Sequence, residues 1–384
     1  MSWRQIPLGY CVAEVRMKNV GGREDNLLSL SYGNIIRRDI AAADGLLPES
    51  FDSYNVVFPG DTVLRLTDLQ NDQRSLRVGL VGEVGIITSA YVTVRPSKVV
   101  HPKFLNYFLK HMDFRKDFYA LGAGVRQSLK FDELRSVKVP VPSFADQKAI
   151  SDYLDHETYR IEALIEKYRG LESLLELRDL SMVYKSIFGE ESTLESIDRR
   201  AYSMQLRRVV LQTNAGEVID KSWWGAGNER LYTCAREVLD SNYENFPDWK
   251  RTQRSDLLIT RNGTPYIHIP LENSIYSNVV QRINIGNQYS REYIAFALEA
   301  VVGGMKAQGV SIDSFNYDMW KSLVIPIPEI EIQREISNDI VKSKIQLGVV
   351  RELVQTQISL LNEQRQALIT AAVTGELEIP EVAA

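Results

Sequence analysis

The sequence predicts an α+β protein with two globular domains joined by two long, paired helices, the whole built as an internal repeat. Three observations predict this. The stretch 140–190 recurs without a gap at 326–376, at a constant offset of 186. An ungapped repeat of this length decides the fold class. Within each copy, apolar residues recur at alternating steps of four and three, the spacing of a helix with one apolar stripe. Before each copy lies a segment of short β-like runs separated by turn signals.

The repeated residues are specific. Pro140, Pro142 and Gln147 return as Pro326, Pro328 and Gln333, and Ile150 and Ser151 return as Ile336 and Ser337. Leu174 and Leu175 return as Leu360 and Leu361, and Gly189 and Glu190 as Gly375 and Glu376. In the first copy the stripe runs through Ile150, Leu154, Ile161, Leu164, Tyr168, Leu171 and Leu175. In the second it runs through Ile336, Ile340, Leu347, Val350, Val354, Leu361 and Leu368. Ser143 stands as an N-cap with Asp146 three residues on, and Gly189 suits the C-terminal end. Some forty residues at 1.5 Å each make a rod of roughly 60 Å. Such a rod needs an apolar partner, and the other copy is the natural one. The alternative is two amphipathic helices, each lying on its own domain.

Composition bounds the class. The chain has 384 residues, 44% hydrophobic and 25% charged, enough for two or more cores. No apolar run is long enough to span a membrane, and the start, Met1-Ser2-Trp3-Arg4, does not read as a signal peptide. Cys11 and Cys234 lie far apart without metal-ligand spacing, so a reducing cytoplasm and no disulfide are expected. The net charge of −5 is unevenly distributed. Residues 1–142 carry 19 Lys and Arg against 15 Asp and Glu; residues 193–328 carry 15 of each. The helical segments 143–192 and 329–384 carry 6 against 11 and 5 against 9. Acid therefore sits on the rods, and the neutral to mildly basic domains permit contact with DNA.

The first domain, 1–142, offers strand candidates at 27–30, 56–58, 62–66, 78–81 and 90–94, then a helix carrying Phe104, Leu105, Phe108 and Leu109. A glycine-rich loop at 122–128 and the extended Val139-Pro140-Val141-Pro142 close it. The second domain, 193–328, repeats this order. Asp256-Leu257-Leu258-Ile259-Thr260-Arg261 parallels Asp61-Thr62-Val63-Leu64-Arg65, and Val324-Ile325-Pro326-Ile327-Pro328 closes it. The framework is repeated while the side chains differ, which suits one scaffold serving two targets.

Catalytic signatures are missing. The chain has no GxxxxGK[ST] phosphate loop, no strand–GxGxxG–helix unit, and no Asn-Pro-Pro-aromatic tetrapeptide of the kind that holds a flipped adenine. His101, His111, His156 and His268 lack ligand spacing, so no metal site is expected; Asp132 and Asp318 recur but suit turns. Polar loop residues recur instead: Arg37, Arg38, Arg65, Arg74, Arg77, Arg126 and Gln127, then Arg207, Arg208, Lys221, Arg261, Asn262, Lys306 and Gln308. Arginine can bind guanine, and Asn or Gln adenine, with two hydrogen bonds in the major groove. Other Lys and Arg residues would hold phosphates. For any one of these residues, a solvated surface charge is the competing reading.

Taken together, Trp3…Leu8-Gly9, the two Pro-x-Pro exits, the Gln-x-x-Ile helix starts at Gln147 and Gln333, and the terminal Gly-Glu pairs resemble the specificity subunit of type I restriction–modification systems. The resemblance covers essentially the whole chain. It implies that 1–142 and 193–328 are target recognition domains, each reading half of a split DNA sequence. It implies that 143–192 and 329–384 are conserved helical regions, packed antiparallel as a ruler. Double-stranded DNA and two modification subunits would be partners, with S-adenosylmethionine bound by the latter. Restriction subunits would add ATP- and magnesium-dependent cleavage. The chain itself would bind no cofactor and catalyse nothing. The competing expectation is a coiled-coil scaffold with two ligand-binding lobes and no DNA role.

Overall fold

Gln147 and Gln333 explain why the repeat survives as a motif. Both are fully buried. The Gln147 side-chain carbonyl accepts the His101 N–H at 2.7 Å, and its amide donates to the carbonyls of Pro142 (3.0 Å) and Val99 (3.2 Å). Gln333 does the same with the Ser290 N–H (2.9 Å) and the Pro328 carbonyl (2.7 Å). One amide thus ties a domain helix, the proline exit and the start of a long helix together. Replacing Gln147 with alanine removes the partner of the part-buried His101 N–H and of the Pro142 and Val99 carbonyls. Thermal or urea unfolding should register a loss of about 2–3 kcal/mol.

The computed structural model describes residues 3–39, 48, 50–69, 76–121, 128–189, 202–305 and 314–379. The strands are β1 (Arg4–Pro7), β2 (Val12–Val15), β3 (Leu28–Ser31), β4 (Asn34–Arg37), β5 (Asn55–Val57), β6 (Thr62–Leu64), β7 (Val78–Leu80), β8 (Gly85–Ile87), β9 (Val92–Pro96) and β10 (Lys138–Val141). They continue as β11 (Tyr202–Gln205), β12 (Val210–Ala215), β13 (Trp224–Tyr232), β14 (Leu239–Ser241), β15 (Asp256–Thr260), β16 (Ile267–His268), β17 (Ile275–Tyr276), β18 (Val280–Ile285) and β19 (Val324–Ile327). The helices are α1 (Leu8–Cys11), α2 (Pro102–Phe114), α3 (Asp117–Leu121), α4 (Phe131–Leu134), α5 (Phe144–Phe188), α6 (Arg291–Val302), α7 (Tyr317–Ser322) and α8 (Ile330–Thr374). The chain divides into two compact units, 1–168 with 356–384, and 169–355.

The two units share one framework. In the first, an antiparallel sheet runs β2-β9-β6-β7, and β1 pairs with the exit strand β10. In the second the sheet runs β12-β18-β15-β16, and β11 pairs with β19. A buried aspartate opens the central strand in both. Asp61 accepts the Phe58 N–H at 3.0 Å, and Asp256 accepts the Gln253 N–H at 2.7 Å, each from three residues back. Arg95 grips Asp61 with two 2.7 Å bonds; Arg282 and Asn284 hold Asp256. Divergence lies in the additions: β13, β14 and β17 form a separate sheet in the second unit, while the first has the β3–β4 hairpin and a two-stranded antiparallel pair of β5 with β8.

Each long helix has 45 residues, and its ends follow the expected signals. Ser143 Oγ accepts the Asp146 N–H at 3.1 Å and donates to the Asp146 carboxylate at 2.7 Å. Gly189 and Gly375 adopt φ of 86° and 84°, the left-handed conformation that ends a helix. In the first unit, Ile150 and Leu154 of α5 and Ile369, Ala372 and Val373 of α8 join the core built on Phe104, Leu105 and Leu109. In the second, Val183 and Ile187 of α5 and Ile340 of α8 join the core built on Tyr293, Ile294 and Trp320.

The helices also meet each other, which removes the reading in which each copy lies only on its own domain. Arg365 Nη1 donates to Glu162 at 2.5 Å in the first unit. In the second, Arg351 Nη2 donates to the Leu175 carbonyl and to Asp179, both at 3.3 Å, and Lys344 Nζ lies 3.5 Å from Asp179. Early α5 with late α8, and late α5 with early α8, is an antiparallel pairing.

The seam itself corrects the expected stripe. Ile150, Leu154, Ile161, Leu175, Ile340, Leu347 and Val354 are buried; Tyr168, Ile336, Leu361 and Leu368 are half-buried. Leu164, Leu171 and Val350 are 44%, 38% and 39% exposed. Their places are taken one residue later, by buried Ile165 and by half-buried Glu172 and Arg351, and half-buried Asp179 and Ile358 continue the same line. Thr158, Lys344 and Arg365 are half-buried on the same corrected stripe. One of the two alternating positions was therefore phased a residue too early. The cause is that the true position is often charged, so nearby solvent-facing leucines carry the stronger apolar signal.

Candidate nucleic-acid interface

Each unit presents a loop directly after its central strand, and the fold latches that loop the same way twice. After β6, the Leu66 carbonyl accepts the Leu129 N–H at 2.8 Å and Thr67 bridges to Ser128. After β15, the Arg261 carbonyl accepts the Phe315 N–H at 2.7 Å and Asn262 bridges to Ser314. By this pairing Arg261 matches Leu66, and Arg65 stands one residue earlier, at the place of Thr260, so each loop mouth carries an arginine but not at the same position. Arg65 is half-buried, with Nη2 3.9 Å from Asp68. Arg261 is half-buried and donates to the Asn278 carbonyl at 3.4 Å. Arg74, Arg126, Gln127, Lys306 and Gln308 lie outside the described residues.

Arg77 needs correction as a DNA-contact candidate. It is fully buried. Its guanidinium donates to the carbonyls of Arg65 (3.1 Å), Thr67 (2.7 Å) and Asp68 (3.1 Å) and to the Tyr119 hydroxyl (3.0 Å). Its backbone N–H donates to Asp113 at 2.6 Å, whose carboxyl burial pushes above its usual range. Arg77 thus shapes the loop that carries Arg65 from beneath. Arg37 is exposed but forked onto Glu83. Arg38, Arg207 and Arg208 are exposed.

The second unit carries an aromatic and basic surface. Lys221 lies 5.9 Å over the Trp224 ring, and exposed Trp223 stacks edge-on with Tyr243 at 6.1 Å. Trp249 is 64% exposed, with Lys250 5.3 Å over its ring. Trp249 was not among the expected contacts. The available signal was Pro247-Asp248-Trp249-Lys250, an indole set in a turn among polar neighbours. Such groups can stack on sugars or bases and neutralise phosphates. Among the described residues, the candidates come from several separate elements. They lie on the post-strand loops, the β4 end, the turn at 206–208 and the β13 edge.

Among the described residues, no group of three or more His, Cys, Asp or Glu could hold a metal ion, and no helix is long and apolar enough to cross a membrane.

Comparison with known proteins shows what the chain is similar to. Residues 52–171 match the family described as the type I restriction modification DNA specificity domain. About three quarters of the chain is similar in sequence to two specificity subunits of type I restriction enzymes. It is 20% identical over 313 residues to the EcoKI specificity subunit of Escherichia coli K12, covering 74% of this chain and 67% of that one. It is 22% identical over 330 residues to the StySPI specificity subunit of Salmonella potsdam, with the same coverage. A solved chain described under the complex assembly and conformational transition of the type I R-M system shares the fold, with TM-score 0.71, 14% identity and 98% of each chain covered.

Proposed function

We propose that this chain is the DNA-specificity subunit of a type I restriction–modification complex. Each recognition domain reads one half of a bipartite target. The helices set the spacer and dock two modification subunits. The observation that carries this reading is the duplicated latch: one framework holds two post-strand loops in matching positions while their side chains differ. Docking is supported by apolar residues that the helix pair leaves exposed, including Leu174, Leu177, Ile345 and Leu353 in the second unit.

On this reading the chain is non-catalytic. The modification subunits bind S-adenosylmethionine and methylate adenine. Restriction subunits, where present, use ATP and magnesium. The work is done in the cytoplasm, on double-stranded DNA. The differing loops point to an asymmetric site.

Binding to DNA, measured with the modification subunits present, should weaken steeply as salt rises, because phosphate contacts release counterions. Alanine at exposed Arg207 should weaken binding while leaving unfolding temperature unchanged. A complex whose DNA affinity ignores salt, or equals that of the modification subunits alone, would count against the reading.

A further inference from the structure

We propose that the two helix copies have diverged into complementary charge partners, so that α5 accepts α8 and each copy refuses its own kind. The inference concerns which helix pairs with which, and it holds or fails independently of DNA binding.

The repeat offset makes Asp179 and Arg365 equivalent positions: the same place on the helix, with opposite charge. Arg365 faces Glu162. By the same offset, the position equivalent to Glu162 is Gly348, and Asp179 sits beside it between Lys344 and Arg351. The partners of these two seam residues are therefore different and sign-matched.

Now pair like with like in the same antiparallel register. In an α5–α5 pair, Asp179 of one helix meets Glu162 of the other, and the dyad repeats the clash. In an α8–α8 pair, Arg365 enters the place of Asp179, between Lys344 and Arg351, again twice. Both like pairs bring half-buried charges of one sign together, where screening by water is weakest. Only α5 with α8 sets opposite charges against each other at both places. Ionic residues at seam positions are a recognised way for a coiled coil to choose its partner at some cost in stability. The consequence is compositional. Two chains cannot join through like helices, so an assembly built on this pairing always holds one of each domain. If the domains read DNA as proposed, only the unlike combination of half-sites can be read.

The full-length chain tests this, because a single substitution recreates each like pair inside it. Arg365→Asp installs the residue of the first copy and sets it against Glu162. Asp179→Arg installs the residue of the second copy among Lys344 and Arg351. Each should lower the midpoint of thermal unfolding by roughly 5–10 °C. The neutral variant Arg365→Met should cost less than Arg365→Asp. Adding Glu162→Arg to Arg365→Asp restores an opposite pair with reversed polarity and should recover most of the loss. The proposal is overturned if Arg365→Asp unfolds like the parent. It is also overturned if the reversed pair is no more stable, or no better folded, than Arg365→Asp alone. A failure to bind DNA would leave this result untouched.

Discussion

Inserting one heptad into each long helix, after Tyr168 in α5 and after Gln355 in α8, should lengthen the spacer of the recognised site by about 3 base pairs. Seven helical residues rise about 10.5 Å, and each base pair of duplex rises about 3.4 Å. These insertion points fall at the division between the two compact units, so each unit keeps its own contacts. Seven residues also preserve the alternating three–four stripe, so Ile165, Asp179, Arg351 and Arg365 stay on the seam. The two half-site sequences should not change, because the loops after β6 and β15 are untouched. Methylation footprints of the altered complex would read both quantities. An intact complex that methylates the original spacing would show that helix length does not measure the site.

The second large effect belongs to Arg77. Alanine there removes four side-chain hydrogen bonds and leaves the carbonyls of Arg65, Thr67 and Asp68 to find other partners. A loss of about 3–4 kcal/mol is expected, with the unfolding midpoint falling accordingly. Arg38→Ala, at an exposed position, should move stability by no more than about 0.5 kcal/mol. The contrast separates two roles that look alike in sequence. If Arg77→Ala left stability intact and only weakened DNA binding, the burial described above would be irrelevant to its role.

Arg77 also shows where sequence reasoning reaches its limit. Arg65 and Arg77 stand in similar polar runs, yet β6 and β7 pair so that the Arg65 N–H donates to the Arg77 carbonyl. That pairing puts one guanidinium at the loop mouth and the other beneath it. Only the three-dimensional register distinguishes them. The helix ends were legible because Ser143, Asp146, Gly189 and Gly375 act locally, within a turn of the chain. The proline exits and Gln147 were visible as a repeat, although their reason, one amide joining three segments, was not. The seam was half legible. Leu154, Ile161 and Leu175 obey the apolar rule, whereas Asp179 and Arg351 hold seam places through pairing across helices, which a hydrophobic pattern cannot register.

The same limit governs the recognition surface. Matching latches at Thr67–Ser128 and Asn262–Ser314 are set by backbone pairing and so recur despite sequence drift. The side chains they display, such as Arg65 and Arg261, are under no packing constraint that a periodicity could reveal. Trp249 escaped notice for the same reason: an isolated indole in a turn has no pattern to mark it as exposed.

The most direct test is a genome-wide map of methylated adenines in the host, with this gene present and with it deleted. The account predicts one asymmetric, bipartite motif whose methylation disappears with the gene and returns when it is restored. An unchanged map in a host with active modification subunits, or loss confined to a single undivided motif, would contradict it.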